Sequence, residues 1–200
     1  DGGIERRFYD AAGNMIKQVL PEAYNAGTDN GEGFCYTYDH NNRLIQIQNP
    51  DGNLLHTYAY NGKGQIIKET NTEDQEILYT YNGLGQLTKE QTSIRREDNT
   101  TYYRVKAYTY DNAGNKIEEA YGQQEAEKDQ NPISWHRIYF SYDQNNHLTL
   151  VKDDYGAQIQ YQYDCLGNVT LEEQTIEEGI QCRIRYTYNK NGWRTQKTER

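Results

Sequence analysis

The chain has 200 residues, with 30 Asp and Glu against 21 Lys and Arg, a net charge of −9. That balance repels phosphate and excludes nucleic acid as a general partner, and the one basic pair, Arg95-Arg96, is followed at once by Glu97 and Asp98. No apolar run approaches the ~20 residues that span a bilayer, which excludes helical membrane insertion.

Taken in chain order, one pattern occurs eight times: tyrosine, Asp or Asn, two variable residues, then Gly or Asn. The first copy holds Tyr9, Asp10 and Gly13, and a polar spacer, Pro21 to Gly33, leads to the second at Tyr38, Asp39 and Asn42. A short return turn, Asn49-Pro50-Asp51-Gly52-Asn53, precedes the third at Tyr60, Asn61 and Gly64. The fourth is Tyr81, Asn82 and Gly85; a second polar spacer, Gln91 to Thr101, separates it from the fifth at Tyr110, Asp111 and Gly114. A third spacer, Ala120 to Pro132, comes before the sixth at Tyr142, Asp143 and Asn146. The seventh is Tyr163, Asp164 and Gly167, and the eighth is Tyr188, Asn189 and Gly192. The aligned tyrosines lie 29, 22, 21, 29, 32, 21 and 25 residues apart, and the three long spacers read as polar loops on one edge.

Each column of the pattern has a physical reason. Two residues before the aligned tyrosine stands another aromatic (Tyr36, Tyr58, Tyr79, Tyr108, Phe140, Tyr161, Tyr186), with Arg7 the exception. Side chains of a strand alternate, so each aromatic pair lies on one face. Asp or Asn after a strand captures the backbone two residues on and starts a turn. Gly or Asn at the fifth position tolerates the positive φ that short hairpin loops require. Six residues after the tyrosine stands an apolar residue, Met15, Leu44, Ile66, Leu87, Leu148 or Val169, which starts the return strand. Lys116 and Arg194 break this column, and a one-residue shift would bring Ile117 into it.

One copy is therefore one β-hairpin. An isolated hairpin is marginal in water, so the copies must pair side by side. The fold class expected is all-β: tandem hairpin repeats forming a long coiled antiparallel sheet, as an open strip or as part of a hollow shell. A four-bladed propeller is the rival, but its blades repeat every ~40–45 residues. Tyrosine explains how a chain with a mean hydropathy of −1.12 can fold, because its ring is buried while its hydroxyl stays bonded or wet. Residues 1–200 read as a single array that begins and ends mid-pattern, and hence as a fragment of a longer protein.

Candidate chemistry is sparse. His40, His56, His136 and His147 fall in different copies at unrelated spacings, and Cys35, Cys165 and Cys182 lack metal-ligand spacing, which leaves a Cys165–Cys182 bridge open. Turn aspartates Asp10, Asp39, Asp111, Asp143 and Asp164 suggest calcium, but calcium-binding β-helix repeats are nonapeptides with paired glycines, so local capping accounts for them. No catalytic residue, metal site or cofactor is assigned, and no enzyme activity is expected. Asn99-Thr100-Thr101 and Asn168-Val169-Thr170 fit the N-glycosylation sequon. The tyrosine rows are expected to pack the face of the sheet; such rows also stack on sugars, which leaves carbohydrate open as a partner.

With these columns in place, the chain resembles the Rhs, or YD-repeat, family, whose consensus is a glycine, a short strand, Tyr-Asp-x-x-Gly-Arg-Leu and a return strand. Gly52–Gln65 and Gly156–Val169 carry the resemblance most fully. The family's arginine after the turn glycine occurs only as Arg43, with Asn14, Gln65, Gln86, Asn115, His147, Asn168 and Trp193 in its place. The resemblance implies a structural segment of a secreted bacterial toxin, in the shell that encloses or presents a C-terminal toxin domain. The partners it implies are flanking repeats and that domain of the same parent chain, at a secreted, cell-surface or cell-wall location. A surface module recognising wall polymer or glycan is the alternative. Choline-binding repeats are also short aromatic hairpins, but they rely on tryptophan, and only Trp135 and Trp193 occur here. The Asp-Pro-x-Gly signature of the family's terminal autoprotease is missing, so no catalytic residue carries over.

Overall fold

The structure is a computed structural model that describes residues 3–73, 75–125, 135–176 and 179–200. The first copy gives β1 (Arg6–Tyr9) and β2 (Met15–Val19), followed by a two-strand ribbon of β3 (Tyr24–Asn25) and β4 (Asn30–Gly31). Next come β5 (Phe34–Tyr38), β6 (Leu44–Gln48), β7 (Leu54–Tyr60), β8 (Ile66–Asn71), β9 (Glu76–Tyr81) and β10 (Leu87–Arg95). The chain continues through β11 (Thr101–Tyr110), β12 (Lys116–Gln124), β13 (Trp135–Tyr142), β14 (Leu148–Asp153), β15 (Gln158–Tyr163), β16 (Val169–Ile176), β17 (Gly179–Tyr188) and β18 (Arg194–Glu199). Sixteen of these strands form one sheet in chain order, β1-β2-β5 through to β18, with β1 and β18 at its ends. Among the described residues there is no helix. This is the all-β hairpin array expected from the columns.

The chain falls into two compact units, Asp1–Tyr81 with Glu90–Thr101, and Asn82–Lys89 with Tyr102–Arg200. In the first unit the fully buried side chain is Val19, with Gln91 and Ser93 buried as well. In the second, Val105 and Ala120 are buried beside Gln124. Most other strand residues are half-buried, because a single sheet face covered by rings still leaves each ring an edge toward water.

The three long spacers depart from the loop expectation. Gln91 to Arg95 prolong β10, so the connection shrinks to a tight turn in which the Arg96 N–H donates to Thr100 O and the Asn99 N–H to Arg96 O. Ala120 to Gln124 prolong β12, which pairs Ala120 with Ala107 on one side and with Arg137 on the other; residues 126–132 of that spacer lie outside the described residues. Pro21 to Gly33 contains the β3–β4 ribbon, which folds back over β2. A Cβ on Gly31 would sit 2.0 Å from the Ala23 carbonyl, and one on Gly33 2.2 Å from that of Gln18. Low hydropathy marks a loop only when polarity is unpatterned, and these strands carry polar residues on both faces.

The candidate functional site: turns and junctions of the array

Every copy closes its turn in the same way. The side-chain Oδ1 of the Asp or Asn after the aligned tyrosine accepts two backbone N–H groups, from the second and fourth residues beyond it. Asp111, Asp143, Asp164 and Asn189 repeat the arrangement of the first four copies. The fifth position then takes positive φ in each copy: Gly13 (89°), Asn42 (59°), Gly64 (83°), Gly85 (85°), Gly114 (90°), Asn146 (62°), Gly167 (82°) and Gly192 (76°). The turn residues therefore serve backbone closure. Among the described residues, no group of three or more His, Cys, Asp or Glu could hold a metal ion.

The residue after the turn glycine completes the motif, and its identity follows the turn residue. Where the turn residue is Asp, a donor follows. Asn14 Nδ2 donates to Asp10 at 2.8 Å, Arg43 Nε to Asp39 at 2.7 Å, Asn115 Nδ2 to Asp111 at 3.0 Å and Asn168 Nδ2 to Asp164 at 2.9 Å. His147 Nδ1 lies 3.0 Å from Asp143. Where the turn residue is Asn, a glutamine carbonyl accepts: Asn61 Nδ2 donates to Gln65 Oε1 at 3.0 Å, and Asn82 Nδ2 to Gln86 Oε1 at 2.7 Å. In the last copy Trp193 stands at this position and is 74% exposed. These bonds to the charged form hold the turn aspartates below the ordinary carboxylate range. The Asn14, Asn115 and Asn168 amides lead at Asp10, Asp111 and Asp164, and the His147 backbone N–H leads at Asp143. Asp39 is driven down to about 2, first by the Arg43 side chain.

Successive hairpins are joined by a second repeated contact. The aligned tyrosine donates its hydroxyl to the backbone carbonyl of the column residue in the hairpin before it. Tyr38 reaches Met15 O at 2.9 Å, Tyr60 reaches Leu44 O at 2.6 Å and Tyr81 reaches Ile66 O at 2.8 Å. In the second unit Tyr110 reaches Leu87 O at 2.8 Å, Tyr142 reaches Lys116 O at 2.9 Å, Tyr163 reaches Leu148 O at 2.7 Å and Tyr188 reaches Val169 O at 2.8 Å.

A β-bulge lies beside that carbonyl. Tyr60 pairs with Ile66 but Ala59 with Lys68, so Ile67 is the extra residue. The same slip leaves out Ile16, Ile45, Ile117, Thr149, Thr170 and Thr195, all β-branched. Where the extra residue is threonine, its hydroxyl donates back across the hairpin: Thr149 to Ser141 O, Thr170 to Gln162 O and Thr195 to Thr187 O, at 3.1 to 3.2 Å. Bulges raise local twist and re-aim side chains; here they recur in these seven hairpins, each beside the column residue.

The bulge also corrects the fifth copy. Ile117 does not move into the apolar column; Tyr110 pairs with Lys116, and Ile117 is the bulge residue. The Lys116 ammonium instead lies 4.8 Å from the Phe140 ring centroid and 5.6 Å from that of Tyr108, and it pairs with Glu119. Arg194 does likewise in the last copy, 5.5 Å from the Tyr186 ring centroid. A cation over an aromatic face stands in for the apolar residue.

The tyrosines two before the aligned ones share their face with carboxylates. Burial first, then the fields of Glu69 and Glu172, raises the Tyr58, Tyr79 and Tyr161 hydroxyls above their ordinary value. Tyr121, bonded to Glu119, is pushed up to about 12.

The remaining sequence candidates stay apart. His40 is an exposed turn residue, and His56 Nδ1 lies 3.3 Å from Glu69 Oε1 but off hydrogen-bond geometry. His136 Nδ1 is 2.7 Å from Asp154 Oδ1, and its ring stacks on Tyr155 at 4.8 Å. Cys35, Cys165 and Cys182 are free thiols, so the bridge left open by the sequence is not formed. Asn168 spends its amide on Asp164, while Asn99 is exposed in its turn. A cleft of about 310 Å³ is lined by Arg183, Arg185, Thr198 and Arg200.

Residues 60–101 match the family model of the RHS Repeat. No curated protein matches the sequence. Among solved structures, TcdB2-TccC3 without its hypervariable C-terminal region aligns with 98% of this chain at a TM-score of 0.61 and 15% identity. TcdB2-TccC3-Cdc42 aligns with all of it at 0.56 and 12%. Identity at that level is a likeness of fold, and the chain spans only 12% and 13% of those chains' lengths. The RHS-repeat match is confined to residues 60–101, and the same turn and junction tyrosine recur on both sides of that segment.

Proposed function

We propose that this array is a wall segment of a secreted Rhs-type toxin, part of the shell that encloses or presents a toxin domain C-terminal to it in a longer parent chain. The observation that carries this reading is the junction. One hydroxyl-to-carbonyl bond recurs between each pair of consecutive hairpins, so the sheet extends by adding identical units, as a wall does. The likeness to TcdB2-TccC3 chains, described with a hypervariable C-terminal region, supports the same direction. The reading assigns no chemistry to the array itself. The test is to express the parent reading frame through to its stop codon and digest it with protease. A non-repetitive C-terminal domain protected only while the array is folded supports the shell. A frame that ends in surface-anchoring modules, or a downstream domain digested at the rate of the isolated domain, removes it.

The second reading, a surface module for wall polymer or glycan, rests on one feature. Tyr155 is 78% exposed and stacks on His136, beside the Asp154 carboxylate, a polar-edged ring of the kind that sugars stack on. Binding on a glycan or wall-polymer array that is lost in Tyr155→Ala would support it; an array without signal removes it.

A further inference from the structure

Four asparagines precede a glycine in the chain: Asn30-Gly31, Asn61-Gly62, Asn82-Gly83 and Asn191-Gly192. Glycine places no Cβ beside its own nitrogen, so that nitrogen can approach the preceding side-chain amide closely. The fold sorts the four. Asn61 Oδ1 accepts the Lys63 and Gln65 N–H groups while its Nδ2 donates to Gln65. Asn82 is held in the same way by Leu84 and Gln86. Beside Asn191, the Gly192 N–H donates to the Asn189 carbonyl at 2.9 Å, which commits that nitrogen to the turn.

Asn30, at the start of β4, is arranged differently. The Gly31 N–H donates to the Oδ1 of Asn30 itself at 2.9 Å, which holds the amide group against the neighbouring nitrogen. The same Oδ1 accepts from the Lys17 ammonium at 3.1 Å. A nucleophile, an amide carbon and a cation at the amide oxygen are thus already assembled.

We propose that Asn30 is a site of spontaneous intramolecular deamidation, with the Gly31 nitrogen as nucleophile and Lys17 stabilising the oxyanion. The Gly31 nitrogen loses its proton to water and its lone pair forms a bond to Asn30 Cγ. The carbonyl electrons move onto Oδ1, where the Lys17 ammonium meets the charge as it develops. When the carbonyl re-forms, the Cγ–Nδ2 bond breaks, and ammonia leaves with a proton taken from water. Water then opens the succinimide at either carbonyl, giving aspartate or isoaspartate. Every contact the reaction uses lies between Lys17 and Gly31, and it rests on neither reading of the array's function.

The two products differ in consequence. Aspartate sets a carboxylate against Lys17, a stronger pair than the amide made. Isoaspartate adds a methylene to the main chain between residues 30 and 31. Even a Cβ on Gly31 would lie 2.0 Å from the Ala23 carbonyl and 2.8 Å from Val19 Cγ1. The Tyr24–Gly31 pair of the ribbon then gives way, and the cover over the fully buried Val19 loosens with it.

Ageing the folded 200-residue chain at neutral pH, with aspartate and isoaspartate mapped by peptide mass spectrometry, tests this. Asn30 should convert faster than Asn191 and at least about tenfold faster than Asn61 and Asn82, whose bonds must break first. In denaturant the four rates should converge. Lys17→Met should slow Asn30 about fivefold, a modest loss for an oxyanion donor because Asn30 is exposed. The other three rates should stay unchanged in that variant, which shows that the fold is intact. In the separated isoaspartyl fraction, hydrogen exchange at the Val19 amide should speed. An Asn30 that converts no faster than Asn61, or a rate unmoved by Lys17→Met, overturns the proposal.

Discussion

The Tyr60 hydroxyl leaves its own hairpin and donates to the Leu44 carbonyl of the previous one, 2.6 Å away. It couples two hairpins that also meet through the β6–β7 ladder and through Arg43, which lies over the Tyr60 ring and donates to the Asn61 carbonyl. A buried or half-buried hydrogen bond of this kind contributes on the order of 1 kcal/mol. Tyr60→Phe should cost about that much, and hydrogen exchange should speed in β6 and β7 before distant strands, because neighbours stabilise neighbours in a one-dimensional array. Tyr9→Phe, whose hydroxyl reaches no earlier column carbonyl among the described residues, should leave the stability of the 200-residue chain within about 0.5 kcal/mol of wild type. Equal costs at the two positions would show that the bond to the previous hairpin is not what the aligned tyrosine contributes.

Asp39 and Arg43 give the turn a pH signature. Arg43 bonds the carboxylate and brings Asp39 down to about 2 from 3.8. A folded value below the unfolded one means the stabilisation is complete above the unfolded value and is lost as pH falls from 3.8 toward about 2. Arg43→Met should move the Asp39 midpoint, read by carboxyl NMR, back toward the ordinary aspartate value. It should also flatten that part of the acid-unfolding curve. An unmoved midpoint would assign the low value to the two backbone N–H groups alone.

What the sequence made legible was the part written in repeated residue types. The Asp or Asn, the Gly or Asn and the aligned tyrosine each occur in eight copies, and each requirement is local: a side-chain acceptor, a positive φ, a ring on one face. The junction was not legible, because a tyrosine packing a face and a tyrosine donating to the carbonyl of Leu44 look identical in sequence. The bulge was written there, as β-branched Ile16, Ile45, Ile67, Ile117, Thr149, Thr170 and Thr195 immediately after the column. Read as strand formers, those residues did not disclose the extra count, and Ile117 was expected to shift for that reason. The pairing of Asp with donors such as Asn14 and Arg43, and of Asn61 and Asn82 with glutamine, was also visible as a correlation within one chain. Treated only as the loss of the family's arginine, it went unread.

Lys116 should behave as a charge in an apolar position. It pairs with Glu119, whose carboxyl burial would raise but which the Lys116 and Tyr121 bonds bring below its ordinary value. Lys116→Met keeps the length of the side chain and removes the charge, so burial is then opposed only by the Tyr121 bond and the Lys106 charge, and the Glu119 pKa should rise. In the wild type the Glu119 contribution is present above the ordinary carboxylate value and is lost as pH falls through its lowered one; in the variant that contribution should shrink. Thermal melts of both proteins from pH 4 to pH 8 should therefore diverge with increasing pH. Parallel curves would show that Lys116 serves Tyr108 and Phe140 and not Glu119.

The fifth turn position offers the sharpest test of the backbone argument, because two residue types fill it. Gly64 has φ 83° and Asn42 has φ 59°. A Cβ on Gly64 would meet nothing closer than Arg43 Nη1 at 3.9 Å, so any cost of Gly64→Ala is conformational and not steric crowding by neighbours. An L-residue in the left-handed region costs roughly 1–2 kcal/mol, and Gly64→Ala should lose about that. Asn42→Gly relieves the same conformation while enlarging the unfolded ensemble, so its net effect should stay within about 0.5 kcal/mol. Gly64→Asn should recover most of what alanine loses, since asparagine occupies this position at Asn42 and Asn146. Chemical denaturation of the three variants ranks them, and hydrogen exchange at the Gln65 amide reports whether the Asn61 turn still closes. An alanine as stable as asparagine would mean that the turn reshapes to avoid positive φ. The bulge register at Tyr60 and Ile66 would then have to shift with it, and the Tyr81 bond to the Ile66 carbonyl would weaken in the same variant.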